Sequence, residues 1–485
     1  MDDHKNTGNE QPTTIFQGPP VEEVASTVES AVPEEIVDAA DTVGPPPGPM
    51  MMEDNRHKFL LIGGGVLFFL LIFGLILFFI LPKGKATAGV VKLTYWGVWE
   101  DKETIQPLID SYKKTHPNVQ IEYTKMSAQD SYREKILARS KNGQGPDIFR
   151  FHNTWKYELT DVLSPLPSTV MSNAEFDKTF YKIHQQDMKI GDHYYGIPLY
   201  IDGLVLIYNA NMLKDVGVAQ APTNWEDVIS IAKKLNPTID SEGRLLVGAI
   251  ALGTANNVDH FSDILGLMLM QNGGDIHKLD SKEAADTLES YRFFAEGKSK
   301  LWDETLPNSV TAFTQEKVAM IIAPSWEVLV IKQTNPDLEI KVVPVPNVPG
   351  AKTVSVANYW AEGVSKYSKN QLEAWNFLKF LSQQDSLAQL YENQAKVRLF
   401  GTAYSRVDMA AKLAQNPYLG AVIKEADSFV SLPVIERTYD NGLNDGIIQY
   451  LTNAVNASTQ GVAYNEAMST ASKGVNQLLD QFGYK

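Results

Sequence analysis

Between residues 90 and 151 short apolar runs alternate with segments of helical spacing. "VVKLTYW" reads as a strand, Ile105, Leu108, Ile109 and Tyr112 then recur at the spacing of one helix face, and "NVQIEYTKM" reads as a second strand. "SYREKILARSKNG" predicts a helix with a glycine stop, and "PDIFRF" a third strand. This β-α-β-α-β order implies parallel strands with helices on the sheet faces. Farther along, "APTNWEDVISIAKKL" predicts a capped helix with Trp225, Val228, Ile229 and Ala232 on one face, and "LLVGAIAL" a buried strand, so a second α/β unit follows the first. From about Gln371 the pattern is mostly helical, without a short-period repeat.

Upstream the pattern differs. Phe59–Leu81 is 23 residues without a charge, roughly 35 Å long as a helix, enough to cross a hydrocarbon core of about 30 Å. A transmembrane helix is therefore expected over residues 59–82. Arg56 and Lys58 before it and Lys83, Lys85 and Lys92 after it leave its orientation undecided. "ATA" at Ala86–Ala88 resembles a signal-peptidase site, but the apolar core of a signal peptide is shorter, about 7–15 residues, so an uncleaved anchor is expected, followed by a linker over 83–89. Residues 1–58, rich in Pro, Glu and small residues and including "GPPPGPM", bury too little apolar surface to fold and are expected to form a disordered acidic arm.

Charge sharpens this division. Of a net −15 over 485 residues, the first 58 carry 12 Asp+Glu against 3 Lys+Arg. The body that remains is mildly acidic, which argues against nucleic acid as a partner. The chain has no cysteine, which excludes disulfides, zinc-thiolate sites, iron–sulfur clusters and lipidation through an N-terminal cysteine. None of the eight histidines falls in HExxH, GxSxG does not occur, and no GxxxxGK[ST] loop is found. No enzyme, cofactor or metal is expected, although a pair of carboxylates able to cleave glycosides would leave no mark in spacing.

In order along the chain stand "KLTYWGVWEDKETIQPLIDSYKKTHPNVQIEY", "GPDIFRF", "YYGIPLYIDGLVLIYNANMLKDVGV", "APTNWEDVISIAKKL", "MQNGGDI", "AFTQEKVAMIIAPSWEV", "VVPVPNVPG" and "ANYWAEGVSKYSKNQLEAWNFLKFL". Together these landmarks resemble family 1 extracellular solute-binding proteins of bacterial ABC importers, over nearly all of 92–485. The anchor and acidic arm depart from the usual cleaved signal or lipidated cysteine. The resemblance implies a two-lobed α/β fold of the periplasmic-binding-protein type II kind, with residues 90–202 and 358–399 in the first lobe and 203–357 and 400–485 in the second. Crossings are implied near Asp202, near Thr353–Ala357 and near Phe400, with hinge closure around a ligand.

The implied ligand is a carbohydrate, handed to ABC permease subunits by a monomeric receptor on the extracytoplasmic face. A sugar ring has apolar C–H faces and an equator of hydroxyls, so aromatic plates grip it while carboxylates, amides and Arg choose among stereoisomers. By family position the plates are Trp96, Trp99, Trp155, Trp326, Tyr359 and Trp360. The polar candidates are Glu100, Asp101, Asn153, Asp202, Glu327, Asn358, Glu362 and Arg398, with Glu100 and Asn153 foremost. Trp225, Trp302 and Trp375 read as packing residues, Asp147 as a turn residue, and Asp101 equally as a helix cap. Peptides, polyamines and phosphorylated glycerols are the alternative ligands, because the same fold accepts them.

Overall fold

The computed structural model describes residues 89–297 and 300–484. The acidic arm over 1–58, the membrane helix over 59–82 and the linker as far as residue 88 lie outside the described residues. Among the described residues no helix is long and apolar enough to cross a membrane.

Two five-stranded sheets organise the described residues. The first runs in the order Val119–Met126, Val91–Val98, Ile148–His152, Trp360–Val364, Ile197–Pro198. Its first three strands are parallel, as the alternating pattern implied, and the late strand Trp360–Val364 joins antiparallel to Ile148–His152. The helix Lys102–Thr115 buries Ile105, Leu108, Ile109 and Tyr112, the four residues of its predicted stripe. The helix Gln384–Ala395 packs against it, Asn393 Nδ2 donating to the Thr104 carbonyl at 3.0 Å. Gly97 has a steric reason: a Cβ there would sit 2.3 Å from the Tyr123 hydroxyl, which crosses the strand to donate to the Glu100 carbonyl.

The second sheet runs in the order Ile340–Val343, Leu204–Asn209, Val318–Pro324, Leu245–Ile250, Thr238–Ile239. The Asn224 side chain caps the helix Trp225–Leu235 by accepting from Asp227 N. Helices Leu443–Thr459 and Tyr464–Phe482 pack on each other, and the latter on Lys282–Arg292.

Between the sheets three segments run side by side. Asn358 N donates to the Asp202 carbonyl, Gly203 bridges Ala357, and Ser355–Val356 pairs with Phe429–Val430. Gly203 has no room for a side chain, since a Cβ would meet Phe429 at 2.3 Å and the Val356 carbonyl at 2.4 Å. The third of these segments is 429–430. Ala403 accepts from Ile201 N, Tyr404 bridges Tyr200, and Ser405 Oγ donates to the Pro198 carbonyl. These bonds tie residues 403–405 to the edge of the first sheet and delay the passage to the second.

Candidate functional site

A cavity of about 360 Å³ lies where the two sheets face each other, lined by Trp99, Glu100, Tyr200, Trp360, Arg398 and Thr402 on one side and by Trp326, Leu329, Val330, Glu436, Arg437 and Tyr439 on the other. Asp202 and Asn358, on the crossing segments, complete it. The volume falls within the range of small-ligand pockets, about 300–1,000 Å³.

The first wall grows from the end of Val91–Val98. Trp99 takes a left-handed backbone, φ 71°, rare for a bulky side chain, and its indole stands 45% exposed in the cleft. Trp360 meets it edge to face and is backed by Trp155 and His152, whose ring centroids lie 5.0 and 5.2 Å away. Burial lowers the His152 pKa to about 4, so the ring behind Trp360 is neutral near pH 7.

Glu100 follows, almost buried. Its Oε1 accepts from Gln394 Nε2 at 2.9 Å and lies 3.7 Å from Arg398 and 3.9 Å from Arg150. Arg150 is buried beneath the cleft, its Nε donating to Glu362 at 2.7 Å and its Nη1 to the Val98 carbonyl at 2.9 Å. Burial opposes its charge, but Glu362 and its other neighbours outweigh that effect and raise its pKa. The cation thus fixes both the end of the strand and the carboxylate beyond it.

At the crossing, Asp202 Oδ1 accepts from Gly203 N at 2.8 Å and Ser325 N at 3.2 Å. Burial raises its pKa to about 6 despite these amides. On the second wall Trp326 occupies the N-cap position of helix Glu327–Thr334, whose next residues Leu329 and Val330 also face the cleft.

Of the ten residues expected to touch ligand, Trp99, Glu100, Asp202, Trp326, Trp360 and Arg398 come together here, with Asn358 from the wider polar set. Four others stand elsewhere. Trp96 points from mid-strand to the face opposite Tyr95, half-buried, with the Arg139 guanidinium 5.7 Å from its ring centroid. Trp155 is fully buried behind Trp360. Asn153 turns inward, donating to Asp187 at 3.1 Å and Ser431 at 2.8 Å and accepting from Tyr359 N. Tyr359 is fully buried and donates to Asp187 at 2.7 Å. Asn153 and Tyr359 therefore tie the crossing segment at Ser431 to the first sheet.

Glu327 and Glu362 are buried partners of Arg437 and Arg150. Asp101 stands at the N-cap position without capping the helix; its carboxylate meets Lys125 at 2.7 Å. Trp302 and Trp375 are fully buried, whereas Trp225 is half-buried beside a separate surface groove, its Nε1 donating to Gln271 at 2.7 Å. Asp147 accepts from Thr94 N at 2.8 Å and from Ser368.

Sequence reasoning missed Tyr200, Leu329, Val330, Thr402, Glu436, Arg437 and Tyr439. Alternation was available for one of them: Tyr200 precedes Asp202 by two residues, as Asn358 precedes Trp360, and extended chain presents every second side chain to one side.

Two lobes with a cleft of convergent aromatics and polar groups, and three connecting segments at its floor, define a solute-binding protein. The profile of the family described as bacterial extracellular solute-binding protein matches residues 96–386, and the chain belongs to that family; it is a binding protein, not an enzyme. A probable ABC transporter-binding protein of Deinococcus radiodurans is 21% identical over 367 residues, 72% of this chain and 78% of its own length. The maltodextrin-binding protein MdxE of Bacillus subtilis is 24% identical over 271 residues, 56% of this chain and 63% of its own. Among solved structures, the sugar-binding protein MalE from Xanthomonas citri matches with a TM-score of 0.66 at 17% identity, over 81% of this chain and 98% of that one, a likeness of fold.

Proposed function

We propose that the chain is the carbohydrate-binding receptor of an ABC importer, working on the extracytoplasmic face as a monomer tethered by the segment 59–82. The observation that carries this reading is the meeting of Trp99 and Trp360 from one wall with Trp326 from the other in a single cavity edged by Glu100, Asp202 and Arg398. Indole faces remove water from the C–H faces of a sugar, and the polar rim satisfies its hydroxyls; each buried hydroxyl left unpaired would cost about 1–3 kcal/mol. The names of the Bacillus and Xanthomonas relatives point the same way.

The lobes are drawn as 90–202 with 358–399 and 203–357 with 400–485, and the bonds from residues 403–405 to Pro198, Tyr200 and Ile201 support counting those three residues with the first. A ligand that touches both walls binds the closed form more tightly than the open one, and that difference drives closure. The tether keeps the receptor beside its permease at high effective concentration. Intrinsic tryptophan emission of the detergent-solubilised full chain, titrated with mono- and oligosaccharides, peptides, polyamines and glycerol phosphate, tests the assignment. A saturable response to saccharides supports it, and a response only to one of the other classes replaces the ligand.

A further inference from the structure

The second-lobe plate, Trp326, is held by groups that converge on one carboxylate. The guanidinium carbon of Arg437 lies 5.7 Å from the indole centroid, within the range of a cation–π contact. The His260 imidazole meets the same indole edge to face at 5.7 Å and 77°. Glu327, next to Trp326 in the chain and fully buried, accepts from Arg437 Nη1 at 2.6 Å through Oε1, and that oxygen lies 3.2 Å from His260 Nε2. Arg437 Nη2 reaches a second buried carboxylate, Asp259, which itself accepts from Ser309 Oγ and Val310 N at 3.2 Å each.

Backbone conformation adds an independent mark. Arg437 and His260 both sit in the left-handed region, at φ 60° and 62°. Such conformations are sparsely populated and persist where their surroundings over-determine them. Here the surroundings are two carboxylates that claim a planar fork, one of which, Glu327, also claims the imidazole beside the same indole.

We propose that Arg437 is a positioning residue: anchored on Glu327 and Asp259, it pins the Trp326 indole across the cleft from Trp99 and Trp360 and thereby sets the geometry in which a ligand ring is held. The proposal rests on the carbohydrate-receptor reading for its purpose but not for its first test. Lysine at this position would keep the charge without the fork that spans two carboxylates, so charge and geometry are separable.

The first arm needs no ligand. Trp326 emission is isolated as the difference between each protein and its Trp326→Phe counterpart, and its quenching by acrylamide is measured. Arg437→Gln is expected to raise the Trp326 quenching constant about twofold, with Arg437→Lys between it and the wild type. Asp259→Asn, which removes one anchor and leaves Arg437, is expected to give a smaller rise and serves if Arg437→Gln does not fold. Unchanged Trp326 quenching in folded Arg437→Gln or Asp259→Asn overturns the proposal, whatever the ligand proves to be.

The second arm is a double-mutant cycle with a saccharide that binds in the emission titration. Arg437→Gln is expected to weaken binding about tenfold in the wild-type background and less than twofold in Trp326→Ala. An equal loss in both backgrounds would make Arg437 a direct contact and overturn the positioning role. No saccharide response at all, with the quenching result intact, would remove the carbohydrate reading while leaving the clamp.

Discussion

Trp99 and Trp360, 261 positions apart in the chain, meet edge to face with ring centroids 5.9 Å apart at 76°. One indole is half-exposed and the other 6% exposed, so Trp360 forms a fixed floor and Trp99 a standing wall of the same corner. Well-packed interface tryptophans typically account for about 2 kcal/mol or more of binding energy. Trp99→Ala is therefore expected to weaken saccharide binding by roughly 30-fold. Trp96→Phe, three residues earlier and off the cleft, is expected to change it less than twofold. Calorimetric titration of the two variants side by side distinguishes this placement from one in which Trp96 carries the contact.

The difference between those two tryptophans marks how far the sequence is legible. Strand and helix periods are readable because each buried stripe repeats: Ile105, Leu108, Ile109 and Tyr112 could only be one face of a helix. The rotation of a residue just past a strand end follows no period. Trp99 faces the cleft because its own φ is 71°, and nothing in "YWGVWED" announces a left-handed tryptophan. Asn153 was a reasonable choice at the end of the third strand, yet the short turn Asn153–Trp155 directs its amide toward Asp187 and Ser431. Arg437 and Tyr439 lie in a stretch where positions 437, 439 and 441 all have positive φ, and neither helical nor strand periodicity applies there. The attachment of 403–405 to the first sheet is illegible for a related reason: the bonds that hold it are mostly backbone bonds, which any sequence can make.

Arg150 is predicted to matter for stability before it matters for binding. It is 2% exposed and bonded to Glu362, itself 1% exposed. Removing one member of a buried pair leaves an uncompensated charge, at a cost of about 3–5 kcal/mol. Arg150→Met should lower the free energy of unfolding by that order in urea titration, and Arg150→Met with Glu362→Leu should recover most of the loss. A single variant as stable as wild type would mean that the pair is not buried as described.

A pH dependence is expected from Glu158. Its side chain is buried; burial, followed by the nearby Asp440, outweighs Arg133 at 3.1 Å and raises its pKa to about 9. The folded value lies above the unfolded one of about 4.3, so this contribution to stability is fully present below pH ~4.3 and is lost as pH rises toward 9. The advantage of the wild type over Glu158→Gln should shrink with rising pH, by at most about 1.4 kcal/mol per pH unit. Unfolding free energies of both proteins at pH 6, 7.5 and 9 give the comparison; a constant difference would place the titration elsewhere.

The most direct test of the central claim, that one ligand is held between indoles of opposite lobes, is calorimetric titration of a bound saccharide against wild type, Trp360→Ala and Trp326→Ala. Affinity should fall roughly 30-fold in each variant, because each removes one of two facing surfaces. Full affinity retained in either folded variant would contradict the account.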